Sequence, residues 1–430
     1  MHDPWLDAAA MSVLRANDAG RWTVPSRTQY PHQWNWDSAF ISLGLATFDW
    51  DRAVVEIESM LAARWREGMV PHLRYDPAHV FDYSPGPDRW PVAQTHVAEP
   101  GIATSGITNP PVLVSAAFLA GRRQTVRQRR LAFWRRAFPA LCGFVEYLAR
   151  DRRLPGAPLV AIVHPWESGW DNSPRWDHLR AAGLRPSRPL SRLDTEHVPV
   201  ADRPTDADYA GYLALIDLLE AADYDIGGFR ASSPFCVYDV LMDALWYRAA
   251  CDLNEIASEL GEQQPVADAC LREFAAAFEE FHWDADLGLY VDWDCVSSRR
   301  ISRPTAAGLA ALAGGLVSGD RAREAWQLYR RMQAGALAVC TVPPTDPAFE
   351  ARRYWRGPVW AHINWLVVDG MERSGLKGEA AELRRETLDL IRRSGFAEYF
   401  DPITGTACGA DAFSWTAALA LDLLSHELSD

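Results

Sequence analysis

Apolar residues fall along the chain in two alternating patterns. After Asp37, the run Ala39, Phe40, Ile41, Leu43 and Leu45 leaves little room for a polar face, as in a helix buried on nearly all sides. Over 51–67, by contrast, Val54, Val55, Ile57, Leu61 and Trp65 recur at helical spacing along one stripe, which predicts an amphipathic helix laid outside the first. The alternation of more buried and more amphipathic segments continues through helices predicted at 6–17, 111–120, 126–151, 206–222, 234–259, 263–281, 304–316, 320–334, 358–373, 378–394 and 411–426. Thr205 suits the cap of the helix over 206–222, and Pro358 suits the start of the helix over 358–373. Strands are scarce, with 289–293 the best candidate; the segment from Asp284 to Gly288 reads as a turn before it, because it lacks the later ligands and distal Glu of a calcium loop.

About twelve helices in inner and outer pairs, joined by short turns on one side and long aromatic-rich segments on the other, predict an all-α (α/α)6 barrel. A helical solenoid would show self-similarity at a fixed period, and none is present. Closed barrels reach 430 residues around one core, so 1–430 is expected to form one catalytic domain. The proline-rich excursion at about 70–110 and a second at 165–205 are expected to form a cap over its mouth.

Composition narrows the function. A 48% hydrophobic and 23% charged chain has ample material for a large core. With 43 Lys plus Arg against 57 Asp plus Glu, its net charge of -14 repels phosphates, which argues against nucleic-acid and anionic-membrane partners. An anionic small molecule must therefore meet a local arginine. The absence of a membrane-length apolar run and of a basic-then-apolar leader makes the cytoplasm the expected location. Seven scattered cysteines with no Cys-x-x-Cys pair read as reduced core fillers. No phosphate-binding glycine loop, serine-hydrolase elbow or zincin motif occurs, and neither metal nor cofactor is expected.

The 19 tryptophans and 13 tyrosines carry more information, because several sit in glycine- and proline-broken segments where rings can stack on sugars. The densest is His164-Pro165-Trp166-Glu167-Ser168-Gly169-Trp170-Asp171-Asn172-Ser173-Pro174-Arg175-Trp176-Asp177. Trp166, Trp170 and Trp176 around Asp171 would desolvate it and raise its pKa, as a general acid requires; a turn-capping aspartate is the plainer alternative. Glycoside hydrolysis needs a second carboxyl group from elsewhere. Glu398, set between apolar residues with no local partner, is the candidate base, with Glu167 its main competitor; Asp401 and Asp177 read as structural. A third cluster runs through Tyr354, Trp355, Arg356 and Trp360, where indoles could bracket a sugar or merely fill the core around a surface arginine.

Four segments in this order, Gln33-Trp34-Asn35-Trp36-Asp37-Ser38-Ala39-Phe40, Trp166 to Ser173, Tyr354 to Trp360 and Glu398-Tyr399-Phe400-Asp401-Pro402, resemble glycoside hydrolase family 63. The length is most similar to its compact mannosylglycerate and glucosylglycerate hydrolases. The resemblance implies an inverting mechanism with Asp171 as acid and Glu398 as base. It also implies a glycosyl site formed by Tyr30, Trp34, Trp36, Asp37, Trp166, Gly169 and Trp360, with Glu167 in support. Arg203-Pro204-Thr205 with Tyr209 matches a stretch that holds glycerate, and Asn109 stands where these hydrolases are expected to carry glutamine.

The sequence therefore predicts an inverting α-glycosidase acting on a small glycoside, most simply 2-O-α-mannosyl- or glucosyl-glycerate. An α-glucosidase acting on α-linked disaccharides or oligosaccharides, a sugar epimerase using His164 and His362, and a non-catalytic carbohydrate-binding protein are the rivals. Assembly into a homo-oligomer is left open.

Overall fold

The computed structural model describes residues 3–92, 96–189 and 192–427. Among these, six inner helices stand in a ring: Asn35–Phe48, Val112–Arg123, Val240–Leu260, the short Ala307–Ala310 with its 3-10 continuation Ala311–Gly314, Ala361–Arg373 and Ser414–Glu427. The last packs against the first and closes the ring. Outside lie Pro4–Ala16, Trp50–Ala62, Arg127–Asp151, Asp268–His282, Gly319–Met332 and Lys377–Ser394. The architecture is the (α/α)6 barrel.

The two apolar patterns explain the two rings. Asn35–Phe48 is buried continuously from Asn35 to Leu45, whereas Gly319–Met332 buries only Ala322, Ala325, Trp326 and Tyr329, a single stripe on one face. Inner helices pass to outer ones through short turns, of which Asp49 between Phe48 and Trp50 is the shortest; its carboxylate caps the outer helix through Arg52 N–H. The return segments are longer, and they place the site at the N-terminal ends of the inner helices. The Asp206–Ala221 helix stands outside both rings, with Thr205 and Asp208 forming the capping box at its start.

Several predicted boundaries move because another partner claims the backbone. The helix predicted over 234–259 starts only at Val240, since Val237–Tyr238 joins a four-stranded sheet with Ala161–Ile162, Asp292–Asp294 and Arg299–Ile301. The strand predicted at 289–293 divides between this sheet and a hairpin of Trp283–Asp284 with Leu289–Tyr290, whose turn occupies the Asp284 to Gly288 segment. The helix over 263–281 begins at Asp268, because Asn254 pins Val266 through both its amide groups. Pro358 does not open the helix at 361–373: Val359 is held extended by reciprocal hydrogen bonds with Phe400, leaving Trp360 as the N-cap.

Candidate active site

Tyr30, Trp34, Trp36, Asp37, Asn109, Trp166, Gly169, Asp171, Arg203, Tyr209, Tyr354, Trp355 and Glu398 line one cavity at the mouth of the barrel. Within the sequence they span more than 360 residues and come together only through ring closure.

Asp171 is delivered by a 3-10 turn, Pro165–Ser168, that ends at Gly169 with φ +74°. A Cβ at Gly169 would lie 2.2 Å from the Trp36 ring, so only glycine lets this loop close onto the indole. The Tyr212 hydroxyl donates to the Asp171 carbonyl at 2.7 Å and fixes the backbone. Burial pushes the Asp171 carboxyl up to about 7 against the opposing pull of Arg203, leaving it partly protonated at neutral pH.

Glu398 is fixed by the strand pairing that follows it, Tyr399–Phe400 against Ala407–Cys408. Its Oε1 accepts from the Tyr30 hydroxyl at 2.8 Å, its Oε2 from Ala410 N–H at 2.9 Å, and Arg203 Nη1 stands 3.6 Å away. Burial raises the Glu398 carboxyl, while Arg203, Ala410 N–H and Tyr30 favour its ionised form. Arg203 also donates to Tyr30 at 3.0 Å and Asp194 at 3.2 Å and lies 4.0 Å over the Tyr354 ring. Asp37, in the first turn of its inner helix, is held well above the ordinary carboxylate range by burial and by the Glu398 charge.

Three candidate substrate-site residues from the sequence, Glu167, Arg356 and Trp360, lie outside the cavity lining. Glu167 is fully buried, with its oxygens accepting from Arg152 at 2.7 Å, Val163 N–H at 2.8 Å and Thr108 N–H at 3.1 Å, so its carboxylate is committed to supporting the loop and does not line the cavity. Arg356 is spent on Asp177 and Glu350. Trp360 is stacked flat on Trp355 at 3.9 Å and supports that ring from behind. Of the three indoles near Asp171, only Trp166 lines the cavity; Trp170 stacks on Trp355 and Trp176 donates to the Trp170 carbonyl. His164 is occupied by Tyr212 O and Trp166 N–H, and His362 is buried behind Trp36 and Trp415, so neither epimerase candidate lines the cavity.

The cavity also includes Pro25, His72, Tyr83, Phe413 and Trp415, which the sequence reading did not select. A signal existed for the last two. Phe413-Ser414-Trp415 at the start of the last inner helix repeats the aromatic flanking of Trp34-Asn35-Trp36 at the start of the first.

Comparison with known proteins identifies the family of the chain. A family model described as the mannosylglycerate hydrolase MGH1-like glycoside hydrolase domain matches residues 30–416. The chain is 39% identical over 415 residues to the mannosylglycerate hydrolase of Thermus thermophilus, covering 96% of this chain and 99% of that one. It is 36% identical over 451 residues to the glucosylglycerate hydrolase of Mycolicibacterium hassiacum, covering 98% and 99%. A crystal structure of the GH63 mannosylglycerate hydrolase from Thermus thermophilus in complex with Tris and D-glycerate superposes with a TM-score of 0.91 at 38% identity, over 97% of this chain and 99% of that one. The chain belongs to the MGH1-like mannosylglycerate hydrolase family and is a glycoside hydrolase.

Proposed function

We propose that this enzyme hydrolyses 2-O-α-D-mannosyl-D-glycerate or 2-O-α-D-glucosyl-D-glycerate with inversion of configuration, with Asp171 as general acid and Glu398 as general base. The observation that carries the reading is the contrast between the two carboxyls in one cavity. Burial raises both, pushing Asp171 up to about 7, but at Glu398 it is opposed by hydrogen bonds from the Tyr30 hydroxyl and Ala410 N–H and by the Arg203 charge 3.6 Å away, all of which favour the anion. Asp171 gives its proton to the glycosidic oxygen as the bond to the anomeric carbon breaks. Glu398 takes a proton from water attacking the opposite face, which calls for carboxyls about 6.5–9.5 Å apart.

The other lining residues fit the two ends of such a substrate. Trp34, Trp36, Trp166, Tyr354 and Trp355 offer ring faces and edges to the hexose, and Asp37 offers a polar contact to its hydroxyls. Arg203 supplies the positive charge that a glycerate carboxylate needs in a protein of net charge -14, with Tyr209 beside it. Asn109 spends its Nδ2 on the Trp166 carbonyl at 3.1 Å, and its buried Oδ1 has no partner among the described residues and can accept from a substrate hydroxyl. The names of the relatives support the same substrates.

The reading extends to one catalytic domain over 1–430 capped by 70–110 and 165–205, to a cytoplasmic location, and to a homo-oligomer. Seven cysteines carried as free thiols support a reducing compartment. NMR of the product formed first from mannosylglycerate, glucosylglycerate and α-linked disaccharides tests the chemistry. Release of the β-anomer from a glycerate glycoside is expected; the α-anomer first, or hydrolysis of the disaccharides alone, overturns it.

A further inference from the structure

Behind the Asp171 loop, the strands Val237–Tyr238 and Asp292–Asp294 run antiparallel with Val237 opposite Asp294 and Tyr238 opposite Trp293. One step further out, Cys236 faces Cys295, and Cys295 N–H donates to Cys236 O at 2.9 Å. A hydrogen-bonded antiparallel pair holds its Cα atoms about 5.5 Å apart, inside the span of about 4.4–6.8 Å that a disulfide bridges. We propose that Cys236 and Cys295 are a disulfide-forming site that staples these two strands beneath the loop of the catalytic acid.

The surroundings separate Cys236 from the other cysteines, while Cys236 and burial push the Cys295 thiol up. The thiol of Cys295 and then Arg230 hold the Cys236 thiol below its usual value in spite of burial, whereas burial pushes Cys142, Cys251 and Cys408 up to about 11 and Cys340 up to about 12. Cys236 is buried and Cys295 half-buried, so a small oxidant has an approach from the Cys295 side. Cys270 is exposed.

The staple lies next to the support of the active site. Asp239, three residues after Cys236, accepts from Arg175 at 2.7 Å; Asp292, three residues before Cys295, accepts from the same nitrogen at 3.0 Å. The Arg175 guanidinium lies 4.9 Å from the Trp170 ring and 4.4 Å from the Trp176 ring, on either side of the segment that begins with Asp171. A covalent bond between the strands therefore fixes the two carboxylates relative to each other, and through Arg175 the seat of the acid loop.

With hydrogen peroxide as the oxidant, the Cys236 thiolate attacks one peroxide oxygen and the O–O bond breaks. Sulfenic acid forms, and the departing hydroxide takes up the thiol proton as water. The Cys295 sulfur then attacks Cys236, the S–S bond forms, the S–O bond breaks, and the hydroxyl leaves with the Cys295 proton as a second water. Two electrons pass from the dithiol to peroxide.

The test treats the full-length enzyme with hydrogen peroxide, blocks remaining thiols with iodoacetamide, and maps the peptides by mass spectrometry with and without dithiothreitol. A dithiothreitol-sensitive Cys236–Cys295 cross-link is expected, with a melting midpoint raised by roughly 2–4 °C and slower amide exchange over 164–177. Both thiols remaining alkylatable under conditions that oxidise exposed Cys270 would overturn the proposal, as would a cross-linked form that melts lower. In C295S, dimedone is expected to trap sulfenic acid on Cys236; no adduct there overturns the order of attack, and the wild-type map stands if this variant does not fold.

Discussion

Tyr30 donates to Glu398 Oε1 at 2.8 Å and accepts from Arg203 Nη1 at 3.0 Å, so one phenolic oxygen links the arginine to the proposed base. Arg203 itself stands 3.6 Å from that carboxylate and also faces Asp194. A single buried cation thus serves several acidic groups, reaching Glu398 directly by its charge while the Tyr30 hydroxyl adds a hydrogen bond of its own.

Replacing Tyr30 by Phe removes one of the three donors that oppose the effect of burial on Glu398. Its pKa then rises further. A base is lost as pH falls through its pKa, so the acid limb of kcat/KM moves to higher pH. A hydrogen bond to a charged group contributes about 1.5–3 kcal/mol, which corresponds to roughly a 10- to 100-fold loss of kcat/KM measured on that acid limb. A pH–rate profile with an unmoved acid limb would show that Tyr30 does not tune Glu398.

Asp171→Asn should lower kcat by about 10²–10⁴-fold while leaving binding of the glycoside measurable by calorimetry. In the wild type the acid must stay protonated, so activity should decline as pH rises through about 7. The same shift predicts the sign for stability. Between the ordinary aspartate value and about 7 the unfolded chain ionises while the folded one holds its proton, so wild-type stability falls over that interval and levels off above it. The Asn variant lacks this dependence, and melting curves from pH 4 to 8 should show it flatter and no less stable at pH 8.

Glu167→Ala separates support from catalysis. It leaves Arg152 buried without its partner, a loss of about 3–5 kcal/mol, because both side chains are almost wholly shielded from solvent. Urea unfolding should show that loss, and the folded fraction should retain the wild-type pH profile. Full stability with activity abolished would instead return Glu167 to the role of base.

The barrel was legible because inner and outer helices differ in how far their apolar residues wrap around, a property local to each segment. Asp171 and Glu398 were legible as charges in apolar, turn-rich surroundings. Glu167 and Arg356 were not separable from them by sequence, because their partners Arg152 and Asp177 lie 15 and 179 residues away along the chain and the ion pairs exist only after folding. Trp360 shows the same limit: its flat stack on Trp355 determines which of two neighbouring indoles faces the cavity, and nothing in the motif states the order. His72 and Tyr83 were missed because they lie singly in the excursion after Val70, without a flanking pattern.

Gly409→Ala tests the positioning of the base without removing any polar group. Gly409 has φ +72°, and a Cβ there would stand 2.3 Å from Glu398 Oε2, the oxygen that accepts from Ala410 N–H. Alanine in this conformation costs about 1–2 kcal/mol, which thermal melting should register as a modest drop. The new Cβ would also stand 2.6 Å from Tyr399 Cε1 and 2.7 Å from Glu398 Cβ, so the Glu398 side chain and the Tyr399 ring both have to give way. The carboxylate should turn away from Ala410 and out of the position proposed for the base. The expected kinetic signature is a kcat lowered by roughly 10- to 100-fold, a larger effect than any change in KM. A variant that melts lower but keeps wild-type kcat would mean that Glu398 does not depend on the Ala410 amide for its catalytic position.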